Sequence, residues 1–365
     1  MNDIDIYELS MDVISSIASD LSGGIYSTLG GSLSISWTHE PRVCAWAESN
    51  RAPEKPPSHR IVISYELARQ FYRDAEDYHD FCERNHLESQ LELFFKDLDP
   101  KPRLPDRLAR GDSVRNMFIG ALTWVFFHEL GHLTQEHGFI RSKFSGAKQI
   151  SLLEDCESNG YQSINTRAAV ISHVTEFAAD IEATQSCIGE LMRHFLYQDG
   201  EWTKEYIPSF QDSLYLVVCG ISCALYRFYG ERPVTPEAVP STSHPTPVRR
   251  LEVCVPNIFE KLDLGGHGEQ LHGLNRKQLV HLCSGAAYNS GFFWLSLYAQ
   301  ENGIPDNFMP KGLLQDPHKE SYWGAIVAAW DEIELEIKRV RRFGNELGLL
   351  SFTEKFRSDI AGECV

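Results

Sequence analysis

The sequence is short of positive charge. Its 34 lysines and arginines are outnumbered by 51 aspartates and glutamates, which gives a formal net charge of −17 at pH 7. Proteins that bind nucleic acid need a basic face to neutralise phosphates, so this composition argues against a nucleic-acid partner. An acidic surface can favour a basic partner, but many acidic proteins are simply soluble, so the charge says little more.

The sequence also shows no convincing membrane span. The longest apolar run near the middle extends from Leu214 to Tyr226, short of the roughly 18–20 residues that span a bilayer. Asp212 and Arg227 bound this run closely, so it indicates a buried core helix. The N-terminus is acidic and lacks the basic, apolar start of a secretory signal. We therefore expect no membrane span and a cytoplasmic location.

Cysteine pairs with metal-binding or redox spacing are absent. The chain has nine cysteines, an odd number, and none of them forms a C-x-x-C pair. Scattered thiols in a chain of this length are typical of a reducing compartment. The sequence therefore predicts neither a disulfide framework nor a thiolate zinc site.

Periodicity predicts an α+β protein that is mostly α. Residues 23–67 show strand and turn patterns, including a predicted hairpin turn over Leu29–Ser32, and Ala52–Pro57 is predicted to be a loop. Helical spacing dominates elsewhere. The predicted helices cover 1–22, 66–86, 87–98, 211–229, 248–262, 276–300 and 322–347, and Pro256 is expected to kink or break one of them. We expect a first domain over 1–262 and a helical C-terminal region over 263–365 that packs on it.

The pentad His128-Glu129-Leu130-Gly131-His132 carries the chemistry. It follows a nearly uninterrupted apolar stretch, with Asp112 or Ser113 as candidate cap and Gly138 as candidate helix end. Histidines four apart lie on one helix face, where both imidazoles can reach a single zinc ion. The adjacent Glu129 is then the candidate general base.

A catalytic zinc site needs a third protein ligand. Glu176 is the best candidate, in a second helix predicted over Ser172–Leu196. Asp180 lies one turn later on the same face, where it can accept from the far ring nitrogen of a ligand histidine. His173 and His137 are rival ligands.

These segments resemble the gluzincin metallopeptidases, in which H-E-x-x-H is followed some forty residues later by E-x-x-A-D. Ser243–Leu251 is similar to the H-P-x-x-x-x-R element of the HtpX and CAAX-prenyl endopeptidase group. Val43–Ala47 with Ile61–Leu67 resembles that group's strand pair, although Cys44 stands where the group usually has asparagine. The same order of elements occurs in the soluble Lit-type phage-exclusion peptidases. The resemblance covers roughly residues 40–260.

The resemblance implies a zincin-like core with a small antiparallel sheet packed on the helix of the pentad. It also implies one zinc ion per chain, held by His128, His132 and Glu176, and peptide hydrolysis with Glu129 as the proton carrier. His244 and Arg250 are then candidates to stabilise the oxyanion that develops on the scissile carbonyl. The alternative is that His244 only starts the next helix and that Arg250 forms a structural ion pair.

The candidate substrate-binding residues are Val43, Cys44, Ala45, Trp46 and Ala47. We expect them to form an exposed edge strand beside the helix of the pentad, to which an extended peptide can add as a further strand. The alternative is that the strand lies inside the sheet and Trp46 belongs to the core.

Three functions fit the sequence. The first is a soluble zinc endopeptidase with a narrow protein target, in phage defence or stress response. The second is a regulatory metallopeptidase that cleaves a repressor, with a regulatory protein partner. The third is a non-catalytic zinc-binding interaction protein, against which the intact Glu129 argues.

Overall fold

The computed structural model describes residues 1–49, 52–85, 103–145, 152–156, 164–198, 201–263, 268–298, 316–343 and 348–362. Over these residues the protein is mostly helical with a small sheet, which confirms the predicted α+β, mostly α class. The helix predicted over 87–98 lies outside the described residues. The helices are α1 (Asp3–Leu21), α2 (Tyr65–Asn85), α3 (Arg110–Thr134), α4 (His137–Ser145), α5 (Thr166–Leu196), α6 (Ile207–Tyr229), α7 (Pro247–Asp263), α8 (Gly268–His272), α9 (Arg276–Leu297), α10 (Gly324–Val340) and α11 (Glu354–Ala361).

The main sheet has four strands: β1 (Ser32–Thr38), β2 (Cys44–Ser49), β3 (Ser58–Ser64) and β4 (Leu152–Cys156). They lie in the order β1-β3-β2-β4, and a two-stranded ribbon of β5 (Tyr197–Gln198) and β6 (Glu201–Trp202) follows α5. β2 is antiparallel to both of its neighbours, but β1 runs parallel to β3. The expected antiparallel sheet was therefore wrong: the sheet is mixed.

The predicted hairpin turn at Leu29–Ser32 was also wrong. Residues Ser22–Tyr26 form a wide π-helical turn after α1, and Gly30 then adopts a left-handed φ of 62° while the Gly31 amide donates to the Tyr26 carbonyl. A left-handed glycine of this kind ends a helix. The glycine pair therefore leads a helical segment into β1 and does not join two strands.

The predicted exposed edge at residues 43–47 was also wrong. Ala45 pairs with Ile63 of β3 on one side of β2 and with Asp155 of β4 on the other. Among the five candidate substrate-binding residues, Trp46 is half-buried. The other four are buried: Val43, Cys44, Ala45 and Ala47. An inner strand has its main-chain groups already paired, so it cannot take up a peptide as an additional strand.

α3 is the central helix and is buried on all sides from Met117 to Thr134, apart from a half-buried Ile119. It begins at Arg110, before both predicted caps, and it ends at Thr134, before Gly138. Two glycines allow α5 and α6 to approach α3 closely. A Cβ on Gly131 would lie 3.2 Å from Ala179 Cα of α5, and one on Gly220 of α6 would lie 2.5 Å from the carbonyl oxygen of Met117.

α5 begins at Thr166 with Asn165 as its cap, one and a half turns before the predicted start at Ser172. α6 is long and apolar enough to cross a membrane, and 72% of its most apolar window is buried inside the protein. It packs against α3 and α9. α7 continues through Pro256 without a break.

The C-terminal helices pack on elements of the first 262 residues. α9 lies against α6 and α7, and α10 lies against α5 and α4. α10 contributes Ile326, Trp330 and Ile333 to a second apolar cluster, which is separate from the main core around α3 and α6. Seven cysteines are free thiols; Cys82 is half-buried, and the other six are buried: Cys44, Cys187, Cys219, Cys223, Cys254 and Cys283.

Candidate metal centre

Three buried side chains from two helices meet at one point. His128 and His132 lie one turn apart on α3, and their Nε2 atoms are 3.1 Å apart. Glu176 of α5 faces them, with Oε2 3.2 Å from His128 Nε2 and Oε1 3.4 Å from His132 Nε2. None of the three side chains is more than 3% exposed. This group could hold a metal ion.

The geometry and chemistry of the group fit a metal ion. Donors placed at roughly 2.0–2.1 Å around a tetrahedral zinc lie about 3.3–3.4 Å from one another, close to the separations seen here. Glu176 Oε2 is buried and has no hydrogen-bond partner in the described structure. A buried carboxylate oxygen without a donor is costly unless a cation compensates it. These distances do not by themselves distinguish zinc from other divalent metals.

Asp180 lies where the sequence placed it, behind His128. Its Oδ1 is 3.0 Å from His128 Nδ1, so the ring donates that proton and turns the Nε2 lone pair towards the site. Burial lowers the pKa of His128, but the carboxylates of Asp180 and Glu176 outweigh it and raise this pKa to about 10. The carboxylates therefore make this ring more basic, and a metal ion that binds Nε2 must displace a proton from it.

Arg250 is fully buried and forms a two-point ion pair with Asp180. Its Nε and Nη2 lie 2.9 and 2.8 Å from the two carboxylate oxygens, whereas Nη2 is 3.8 Å from Glu176 Oε2. The structural ion pair considered for Arg250 is therefore present, with Asp180 as its partner. It holds the carboxylate that orients His128.

His132 has a different partner. Its Nδ1 lies 2.8 Å from Nδ1 of His137, the first residue of α4. Burial lowers the pKa of both rings well below the ordinary histidine value, so both are neutral. His137 therefore lies on the far side of His132 from the donor group, and its assignment as a rival ligand was wrong.

His173 does not join the donor group either. Its Nδ1 is 2.7 Å from the Tyr322 hydroxyl and its Nε2 is 3.4 Å from Thr242 Oγ1. Both ring nitrogens are therefore occupied by hydroxyl groups.

His244 approaches the site from the loop before α7. Ser172 Oγ donates to the Ser243 carbonyl at 2.6 Å, which fastens the loop to α5. Ser243 Oγ then lies 2.9 Å from His244 Nδ1, and His244 Nε2 is 3.5 Å from Glu176 Oε1. The loop thus brings His244 to the rim of the donor group, as the resemblance implied.

Sequence reasoning missed Arg141. It lies on α4, and its Nη2 donates to Glu176 Oε1 at 2.6 Å while its Nε donates to Thr175 Oγ1 at 2.7 Å. Burial raises the pKa of Glu176, but the nearby cationic and imidazole groups hold it well below its ordinary value. The carboxylate is therefore ionised, with one oxygen fixed by Arg141. No local pattern marks this arginine, because it reaches Glu176 from a different helix.

Glu129 follows His128 directly in α3, and only 1% of it is exposed. It is the residue that the pentad offers as a general base, and it is buried with the two donor histidines. The sequence identified this residue from the pentad alone.

No protein-family description, curated protein or solved structure was found to match this chain. The resemblance to the gluzincins therefore rests on the sequence motifs quoted above.

Proposed function

We propose that the chain is a zinc-dependent endopeptidase that hydrolyses peptide bonds of a protein or peptide substrate. The observation that carries the proposal is the group of His128 Nε2, His132 Nε2 and Glu176 Oε2, with Glu129 beside it in the same helix. Three protein ligands leave a fourth position of a tetrahedral ion open, which is the arrangement of catalytic zinc sites.

Zinc bound there would supply a Lewis acid and lower the pKa of a coordinated water towards neutrality. The protein's own groups do the rest. Glu129 accepts the proton of the attacking water and delivers it to the leaving amine. Asp180 keeps the proton of His128 on Nδ1, and Arg141 holds the second oxygen of Glu176. Both fix the donors before substrate arrives.

His244 is the candidate donor to the developing oxyanion. Its Nε2 is directed to the donor group, and Ser243 and the α5 contact fix the loop that carries it. Arg250 is the second candidate for this role, and Asp180 binds its Nε and Nη2.

The proposed target is narrow, in the cytoplasm, and concerned with phage exclusion, stress response or repressor control. The support for narrowness is burial: His128, His132, Glu176 and His244 are each at most 4% exposed. A substrate must therefore insert an extended segment to reach them. The named pathways are supported only by the family resemblance.

The test compares the wild type with Glu129→Gln in cells, by counting new protein N-termini with mass spectrometry. Glutamine keeps the shape and removes the base, so we expect the variant to retain its metal and lose all specific cleavages. Glu190→Gln, on the outer face of α5, is the matched control and should cleave like the wild type. Identical cleavage by Glu129→Gln would refute a peptidase of this type. Bound metal without wild-type cleavage would favour the non-catalytic alternative.

A further inference from the structure

The chain leaves α3 through a strained turn. Glu136, between α3 and α4, has a φ of 53°. It is the one non-glycine residue with positive φ within the described ranges. Residues with a side chain rarely adopt this left-handed conformation, and it persists only where surrounding contacts hold it. Functional sites are where such strain usually collects.

Arg342, beyond the end of α10, contributes to those contacts, as does His59, whose Nε2 lies 3.8 Å from Glu136 Oε1. Arg342 Nε donates to Glu136 Oε1, and the Arg342 backbone N–H donates to the Thr134 carbonyl at 2.9 Å. Its Nη1 donates to the carbonyls of Pro53 and Lys55 at 2.7 and 2.6 Å. One side chain thus joins the C-terminal segment, the turn after α3 and the connection between β2 and β3.

The neighbouring Arg341 reinforces the same turn. Its Nη2 lies 3.4 Å from Glu182 Oε2 of α5. Glu182 in turn accepts from Thr134 Oγ1 at 2.9 Å and from Gln135 Nε2 at 2.6 Å. The last residue of α3 and the two that follow it are therefore held by two consecutive arginines, directly or through Glu182.

The turn sets the position of His137, and His137 contacts His132. For His132 to present an Nε2 lone pair to a metal, its proton must lie on Nδ1 and be donated to Nδ1 of His137. Ligand histidines usually donate this proton to a carboxylate, a carbonyl or water, whereas here the acceptor is a second imidazole. His137 Nε2 has no hydrogen-bond partner in the described structure, so no hydrogen bond on that side holds the ring.

We infer that Arg342 is a positioning residue for the metal centre, which acts on His132 through Glu136 and His137. It holds Glu136 in the left-handed conformation, and this conformation directs His137 towards His132 Nδ1. The inference rests on the metal site of the proposed function. The C-terminal segment is thereby part of the machinery that orients a ligand far away in sequence.

The experiment measures zinc affinity by competition with a chromophoric chelator, together with the visible absorption spectrum of the cobalt-substituted protein. Arg342→Ala and His137→Ala should each weaken zinc binding by roughly tenfold, as the loss of groups that orient a ligand usually does. Both should alter the cobalt bands. Because Arg342 acts through His137, the double variant should bind zinc no more weakly than His137→Ala alone. Arg357→Ala, which removes a half-buried C-terminal arginine paired with Asp331, is the matched control and should change neither reading.

A second pair of variants isolates the backbone conformation and serves if Arg342→Ala does not fold. Glu136→Gly and Glu136→Ala both remove the ion pair, but only glycine adopts the left-handed conformation at no steric cost. We expect Glu136→Gly to keep zinc affinity close to the wild-type value, and Glu136→Ala to weaken it by roughly tenfold. Equal affinities for the two variants would overturn the inference.

Losses that multiply in the Arg342→Ala/His137→Ala double variant would also overturn it, as would unchanged affinity and cobalt spectrum in Arg342→Ala. These readings are independent of hydrolysis. A wild-type protein that binds zinc but cleaves nothing removes the proposed peptidase activity and leaves the inference standing. A wild-type protein that binds no zinc removes both.

Discussion

The two histidines of the pentad stand on the same helix, one turn apart, yet their surroundings differ. Behind His128 lies a charged pair, Asp180 with Arg250. Behind His132 lies a neutral imidazole, His137. Both rings are buried, but the carboxylates raise the pKa of His128 to about 10 while burial lowers that of His132 well below its ordinary value.

The difference shows two ways to orient a ligand. A buried carboxylate fixes a ring by charge, and it requires a partner such as Arg250 to offset its own desolvation. A neutral imidazole has no such desolvation cost, but its position depends on the backbone that carries it. The His128 side should therefore be sensitive to single charges, and the His132 side to the conformation of the turn at Glu136.

The largest effect should come from removing either ligand. His128→Ala and His132→Ala each leave two protein donors, so we expect metal binding to fall by more than the roughly 10–100-fold that the loss of an orienting group causes. Elemental analysis after dialysis against a chelator measures this. His194→Ala, an exposed histidine near the end of α5, is the control. Stoichiometric metal in either variant would refute the assignment of that histidine as a ligand, and the comparison of the two histidines would then fail.

Asp180→Ala should have the next largest effect, and it tests the charged side. It leaves the buried Arg250 without its partner, which should lower the free energy of unfolding by about 3–5 kcal/mol. Zinc affinity should fall by roughly 10–100-fold. Urea unfolding of the metal-free protein measures the first effect. Asp180→Ala/Arg250→Met should recover part of the stability but none of the zinc affinity. A loss of stability no larger than that of His137→Ala would contradict the contrast between the two sides.

Arg141→Met should act on the third ligand alone. Glu176 Oε1 loses its donor while the two histidine environments remain, so we expect zinc affinity to fall by roughly tenfold. Arg141→Lys should recover part of the loss, because the ammonium keeps the charge but cannot contact Thr175 and Glu176 together. Lys143→Met, an exposed cation on the same helix, is the control. Equal losses in Arg141→Met and Lys143→Met would mean that the charge acts only at long range.

Gly131→Ala should give the smallest effect, and it should disturb the surroundings of His128 and His132 together. The new methyl group would press on the Ala179 backbone at 3.2 Å. The strain of about 1–3 kcal/mol is partly offset by the better helix propensity of alanine, worth about 0.5–1 kcal/mol. Gly111→Ala, with open space around it, should only gain. Thermal unfolding measures the change in stability, and zinc titration measures the change in zinc affinity.

The parts of the site that the sequence could predict are those whose geometry is local. His128 and His132 share a helix face because of their spacing. Glu129 was identified from its place in the pentad, directly after His128. Glu176 and Asp180 repeat that spacing in α5, so their shared face was also predictable. The long apolar segment around the pentad indicated burial, which the structure shows for α3.

The parts that the sequence could not predict depend on contacts between distant segments. β2 was expected at an edge because no local pattern shows that residues 152–156 pair with it. Arg141 contacts Glu176 from α4 and Arg342 contacts Glu136 from the segment after α10, so nothing in their own sequence surroundings marks them. His137 follows His132 by five residues, and a left-handed residue, Glu136, lies between them, which no local pattern predicts.

The strand order carries a consequence for how the protein folds. β1 and β2 are consecutive in the chain but do not pair, because β3 lies between them. On a ribosome β1 and β2 emerge before their shared partner, so neither can pair with β3 until residue 64 has been synthesised. β2 and β3 can then close as a local antiparallel pair, and β1 adds by the slower, non-local parallel pairing. The sheet next to the metal centre is therefore expected to begin forming before the helix that carries both histidines exists.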